Sequence, residues 1–312
     1  MTLTAAAAGI ATGEAVARQY DGGMADDPRD FRAPIDLHTH SSASDGTESP
    51  DELVRAAAGA GLGTVALTDH DSTAGWADAS AAASDVGVTF IPGMELSTRY
   101  GWKSVHMLAY LFDPTDEPLT AELERIREAR RSRAETMVAR LSADYDLTWA
   151  DVVAHTAPGA TVGRPHIADA LVTRGVVPDR SAAFATLLHP RGGYYEPIYA
   201  PTPLDGVRLI SGAGGVPVLA HPATRGRDGI IQDVYLQRLV DSGLAGLELD
   251  HRENTDDGKE ALRALADRYG LVLTGSSDYH GAGKPNRLGE NTTSPEALVR
   301  ILDESAYLAR SV

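Results

Sequence analysis

The chain has 312 residues, 43% hydrophobic and 23% charged, with a formal net charge of −16; that suffices for one large α/β domain, or a barrel carrying an insertion, with a core of ordinary size. The acidic balance argues against binding long duplex nucleic acid, which needs clustered Lys and Arg, but leaves room for a small phosphorylated ligand in a local basic pocket. Cysteine is absent, which excludes disulfides, a thiolate nucleophile and Cys-ligated zinc; any metal must be held by His, Asp, Glu or water, a set suited to Mn²⁺, Fe²⁺ or Zn²⁺.

Residues 4–12 are small and apolar, but no Lys or Arg precedes them, so the pattern is not that of a signal peptide. Residues 1–30 read as a flexible tail, Met24 is an alternative start, and the expected location is cytoplasmic. No stretch approaches the roughly 20 apolar residues of a membrane span. Strands are expected at Ile35–Leu37, Thr64–Thr68, Thr89–Leu96, Ser104–Leu111, Val216–Ala220, Gly246–Leu249 and Leu271–Gly275. Helices are expected at Pro50–Ala60, Gly75–Val86, Leu204–Gly212, Val234–Ser242, Asp256–Tyr269 and Pro295–Leu302. The run Ser-Pro-Asp-Glu at 49–52 is a helix start, with a cap, Pro in the first turn and then acids. Strand–helix alternation argues for a mainly parallel sheet or a barrel short of eight strands. Between Pro114 and Pro203 the pattern turns helical, at Leu119–Leu141, Trp149–His155, Pro165–Arg174 and Ser181–Leu187. The reading is a barrel domain of residues 31–113 and 204–312, interrupted by a helical insertion, 114–203, that caps the substrate.

His38 and His40 end the first strand, and side chains at i and i+2 share one face. Asp45 follows in a Ser-Ala-Ser-Asp-Gly loop. His70 closes the second strand, Glu95 ends the third, His106 lies in the fourth, His221 ends the fifth, and Asp278 and His280 end the last. Six of the ten histidines therefore sit on or just after strands, at the end of a barrel where active sites gather.

The motifs DLHTHSSASDGT (36–47), ALTDHDS (66–72), IPGMELS (91–97), SVH (104–106), VLAHP (218–222) and GSSDYHG (275–281) resemble the PHP (polymerase and histidinol phosphatase) metal-dependent phosphoesterases. The resemblance implies a distorted seven-stranded (β/α) barrel with two to three divalent ions. It implies that His38, His40, Glu95 and Asp278 hold one ion, that Glu95 bridges to a second with His106 and His221, and that Asp45, His70 and His280 take a third. Such a cluster lowers the pKa of water toward neutrality and neutralises phosphate oxygens, so Asp45, His70 and Glu95 count as catalytic as well as ligating. Asp69 and Asp71 are expected to orient their neighbours rather than ligate.

In the insertion, the stripe Leu119, Leu123, Ile126, Met137, Leu141 passes through Arg130 and Arg133. An inward-facing arginine needs an anion, which is either a carboxylate or a substrate phosphate. Arg164 and His166 bracket Pro165 at a helix start, where free N–H groups favour anions. The stretches RRSRA and GRPHIA resemble the PHP branch acting on small nucleotides and short oligonucleotide ends, which implies substrate contacts from Arg130, Arg133, Arg164 and His166. His166, or a bound water, would protonate the leaving group. His155 and His189 read as surface or core residues, Arg99 and Lys103 as exposed loop residues, and Tyr194 and Tyr195 as core packing, with a pocket role as the alternative for the last four. His251 is open between a structural role and one behind the ligands. The expected function is hydrolysis of a small phosphomonoester, a nucleoside 5′-monophosphate or 3′,5′-bisphosphate. The alternatives are a 5′→3′ exonuclease on short RNA, a histidinol-phosphate phosphatase, and a non-catalytic metal- or nucleotide-binding module.

Overall fold

A computed structural model describes residues 27–311. Most of the expected tail therefore lies outside the described residues. Its last part does not hang free: Pro28–Asp30 forms a short 3-10 turn, capped by the side chain of Asp27, with Pro28 buried.

The strands are β1 (Ile35–Asp36), β2 (Thr64–Leu67), β3 (Thr89–Tyr100), β4 (Lys103–Tyr110), β5 (Val216–Leu219), β6 (Gly246–Asp250) and β7 (Val272–Gly275), side by side in chain order. Just beyond the ends of β1 and β7, Thr39 pairs with Tyr279, and the His40 N–H donates to the Tyr279 carbonyl at 2.8 Å. That bridge closes the sheet into a distorted (β/α)7 barrel.

One strand departs from the parallel expectation. β4 runs antiparallel to both β3 and β5. Its link to β3 is Gly101-Trp102, and a parallel crossover needs roughly a dozen residues or more. Gly101 has φ +60°, as a tight hairpin requires at its first central position.

Helices cover the outside. α1 (Pro50–Gly59), α2 (Trp76–Val86), α7 (Pro203–Gly212), α8 (Asp233–Val240), α9 (Asp256–Tyr269), α10 (Pro295–Glu304) and α11 (Ala306–Ser311) belong to the barrel segments, while α3 (Glu117–Leu141), α4 (Trp149–Val153), α5 (Arg164–Thr173) and α6 (Arg180–Ala185) lie between β4 and α7. The start of α1 is a reciprocal cap: Ser49 Oγ accepts from the Glu52 N–H, and Glu52 accepts from the Ser49 N–H, as the Ser-Pro-Asp-Glu run predicts. Among the described residues no helix is long and apolar enough to cross a membrane.

Period-two alternation sorts β3 and β4. Met94, Leu96, Met107 and Ala109 join Leu53, Trp76, Val207 and Ile210 of the helices in one apolar cluster. Ile91, Leu108 and Tyr110 join Ile35, Val218 and Val272 in a second cluster, inside the barrel. The inner rows continue from that apolar floor into polar residues, Glu95, Ser97 and Arg99 on β3 and, because β4 runs backward, His106 and Ser104 on β4. The chain reversal is what brings His106 to the same rim as the others.

α3 is shared between two cores. Leu119, Leu123 and Ile126 pack with the barrel cluster, while Ala134, Met137, Val138 and Leu141 pack with Ile167, Leu171 and Val152 in a third cluster. Arg130 and Arg133 fall at the change-over, where the helix passes over the barrel mouth.

Candidate metal centre and anion pocket

All nine expected ligands come together. Four groups bring donor atoms within 4.8 Å of one another: His38, His40 and Asp278; His38, Glu95 and His221; His70, Glu95 and His106; and His40, Asp45, His70 and His280. At the centre, His38 Nε2 faces His40 Nε2 at 3.0 Å. Glu95 Oε2 lies 3.5 and 3.3 Å from these two nitrogens, and Asp278 Oδ1 3.4 and 3.3 Å. The other oxygen of Glu95, Oε1, meets His106 Nδ1 at 2.9 Å and His221 Nε2 at 3.1 Å. Asp45 lies 3.3 Å from His280 Nε2 and 3.8 Å from His70 Nε2.

This set fits divalent ions. Donors bonded at about 2.0–2.2 Å to one dication sit roughly 3.0–3.5 Å apart in tetrahedral or octahedral arrangement, the spacing found among His38, His40, Glu95 and Asp278. Among the described residues His70 Nδ1 and His280 Nε2 are buried and make no hydrogen bond, although carboxylate oxygens of Glu95 and Asp45 lie 3.1 and 3.3 Å away. Burial holds both rings toward their neutral form, below the ordinary histidine range. Buried, unprotonated nitrogens aimed at carboxylates are costly in a protein and are what a metal requires.

The carboxylates are ionised. Burial pushes Glu95 up, but the surrounding imidazoles, His106 first, overcome it and hold the carboxyl well below its usual range. Asp278 is likewise held down against burial, by Lys284 first. Burial lowers His40, and Asp278 and Glu95 then carry it up to about 9. The cluster demands positive charge at its centre, which a dication meets without protonating any ligand.

Supporting contacts fix these side chains. Glu248 Oε1 accepts from His38 Nδ1 at 3.0 Å, so His38 presents the bare Nε2 inward, and Glu248 Oε2 accepts from the His221 N–H at 2.7 Å. His221 (φ +30°) and Asp278 (φ +53°) adopt left-handed backbone, conformations that side-chain residues keep only where the surroundings impose them. Asp69 accepts from the Ser41 N–H, the Ser41 hydroxyl and the Ser44 hydroxyl. Asp71 accepts from the Ser97 N–H and hydroxyl. Both acids orient loops and stand outside the four donor groups. His251 donates from Nε2 to Asp278 at 3.4 Å. A Cβ on Gly46 would lie 2.2 Å from the His40 carbonyl oxygen, so only glycine lets the Asp45 loop fold this tightly. Glu248→Gln is expected to weaken metal affinity by roughly 10–100-fold, the usual effect of losing a ligand's carboxylate support, with the fold intact. Competition with a chromophoric chelator checks it, and unchanged affinity contradicts it.

A pocket of about 570 Å³ opens beside these donors. Asp45, His70, His106 and His280 line one side; its cations are Arg99, Arg130, Arg133, Arg164, Arg180, Arg252 and Lys284. Arg130 takes the carboxylate alternative, pairing with Asp71 at 2.8 Å. Arg133 does not: it is 9% exposed, its Nε donates to the Glu196 carbonyl at 2.9 Å, and its guanidinium lies over the Tyr195 ring. Burial, and then Arg164, pull Arg133 down to about 9. Arg164 donates to the Leu188 carbonyl and faces Phe184 and Tyr195. Among the described residues neither Arg133 nor Arg164 has a carboxylate partner.

His166 Nδ1 accepts from the Gly163 N–H at 3.0 Å, which ties down the start of α5. It is 3% exposed and is not among the residues lining the pocket. Arg99 lines the pocket and donates to the Ile198 carbonyl. Tyr194 donates to Asp144. His155 bonds Thr173, and His189 accepts from the Arg191 N–H, both away from the centre. Sequence reasoning missed Glu248, Arg180 and Lys284. Glu248 carried a signal, an acid between Leu247 and Leu249 in a buried strand. Arg180, which reaches the Asp45 carbonyl and pairs with Asp169, and Lys284, which pairs with Asp278 at 2.7 Å, carried none.

The PHP domain pattern matches residues 36–148. The chain is 35% identical to the 3′,5′-nucleoside bisphosphate phosphatase of Chromobacterium violaceum, over 82% of this chain and 90% of that protein. It is 30% identical to the 5′-3′ exoribonuclease of Haemophilus influenzae, over 86% and 98%. A crystal structure from Bifidobacterium adolescentis, assigned as a metal-dependent phosphoesterase, superposes with a TM-score of 0.85 at 42% identity, over 89% of this chain and 98% of that one. The chain belongs to the PHP-domain family of metal-dependent phosphoesterases.

Proposed function

We propose that this protein removes phosphate from a small nucleotide carrying two phosphates, a nucleoside 3′,5′-bisphosphate, with the nine clustered side chains holding up to three Mn²⁺, Fe²⁺ or Zn²⁺ ions. One observation carries the reading: a single pocket is lined both by the metal-type donors and by buried Arg133 and half-buried Arg164, neither of which pairs with a carboxylate among the described residues. Bound divalent ions supply neutralisation of phosphate oxygens and a lowered pKa for water. Arg133 and Arg164 grip the phosphate that is not cleaved, through paired donors that suit its oxygens. Tyr195 and Phe184 hold those guanidiniums in place, and His166 holds the first turn of α5 that carries Arg164. The Chromobacterium relative, a bisphosphate phosphatase by name, supports the same substrate class. The Haemophilus relative supports a second reading, removal of nucleotides from the 5′ end of short RNA at the same site.

The test is a Mn²⁺-loaded assay across a nucleoside 3′,5′-bisphosphate, a nucleoside 5′-monophosphate, a 5′-phosphorylated trinucleotide and histidinol phosphate. The bisphosphate is expected to exceed the monophosphate in kcat/KM by roughly tenfold or more, the yield of one additional charged contact. A preference for histidinol phosphate, or no turnover of any phosphoester, overturns the reading.

A further inference from the structure

Of the three tryptophans, Trp76 is buried, Trp149 is partly buried against the third apolar cluster, and Trp102 stands 76% exposed. Trp102 sits at the tip of the β3–β4 hairpin, the hairpin that sends Ser97, Arg99, Ser104 and His106 into the pocket. It lies four residues before His106, about 14 Å away at the rise of an antiparallel strand.

Two cations flank its ring. Lys103 Nζ lies 5.9 Å from the indole centroid, and the Arg225 guanidinium, from the loop after His221, lies 5.5 Å away. Among the described residues neither cation makes an ion pair, although the chain holds 44 Asp and Glu.

We propose that Trp102, with Lys103 and Arg225, is a stacking platform for the nucleobase of a second nucleotide, in a short single strand whose 5′ phosphate enters the pocket. Exposed aromatic rings interleaved with cations are how proteins hold single strands without reading sequence: the ring takes any base, and the cations take the backbone. The platform rests on the phosphoesterase reading and gives the second substrate class a place to bind.

Two measurements test it. Tryptophan fluorescence is titrated with a 5′-phosphorylated trinucleotide, in metal-free and in Zn²⁺-loaded protein, for wild type, Trp102→Ala and Trp102→Phe. Wild type is expected to quench on binding and Trp102→Ala to lose the quench. In Mn²⁺-loaded turnover, Trp102→Ala is expected to raise KM for the trinucleotide roughly tenfold, with Trp102→Phe restoring most of it and the nucleoside 5′-monophosphate changing less than about twofold. No quench in either state of wild type, a quench that survives Trp102→Ala, or equal KM changes for mononucleotide and trinucleotide each overturn the platform. A normal quench without turnover of any phosphoester leaves the platform standing and sinks the hydrolase reading instead.

Discussion

Glu95→Gln is expected to cut metal-dependent turnover by roughly 10³-fold or more while the protein stays folded. The substitution keeps the shape and replaces one carboxylate oxygen with an amide NH₂, which donates and cannot accept or ligate. Glu95 uses both oxygens, Oε2 toward His38 and His40 and Oε1 toward His106 and His221. Whichever way the amide turns, one group of donors loses its shared oxygen, and the centre loses a full negative charge. Bound metal is expected to fall along with kcat. Metal analysis of the purified variant beside steady-state kinetics checks this. Turnover within about tenfold of wild type at full metal content would show that Glu95 is a bystander.

Arg133→Met separates binding from folding. The methionine keeps the apolar stem and fills similar space, but removes a buried charge with no acid beside it. Burying such a charge costs several kcal/mol, against about 1.5–3 kcal/mol returned by its charge-assisted hydrogen bond to the Glu196 carbonyl. The variant is therefore expected to be about 1–2 kcal/mol more stable, a rise in Tm of roughly 1.5–3 °C for a chain of this size. Its KM for a bisphosphate is expected to rise on the order of 10²-fold, from the loss of a charge-assisted contact. Thermal melts and KM measured on one preparation decide it. A lower Tm with unchanged KM would make Arg133 a structural strut.

The donor cluster was legible because its signals are local. Each donor ends a strand, lies in one or follows one within a short motif, and barrel strands deliver their ends to one rim. The helices were legible for the same reason, through Ser49 and Pro50 at one start and the Leu119-to-Leu141 stripe along another. The direction of β4 was not, because strand propensity is the same in either direction. The sign of it was the loop, where Gly101 and Trp102 leave no room for a crossover. The partners of the arginines were also hidden. Arg130 and Arg133 are one helical turn apart and look equivalent in sequence, yet Asp71 reaches only the first. That choice depends on where α3 crosses the barrel mouth, a distance no local pattern carries. Arg180 and Lys284 act across 135 residues of chain and across a short loop respectively, and neither spacing repeats.

His38, His40, Glu95 and Asp278 are expected to enclose a divalent ion, with Glu95 shared toward His106 and His221. Anomalous diffraction at the manganese edge, from crystals of the Mn²⁺-loaded active protein, tests it directly. The account predicts one peak at bonding distance, about 2.0–2.4 Å, from His38 Nε2, His40 Nε2 and both carboxylates, and a second between Glu95 Oε1 and the His106 and His221 rings. Active, manganese-loaded crystals with no anomalous density inside that cage would contradict it.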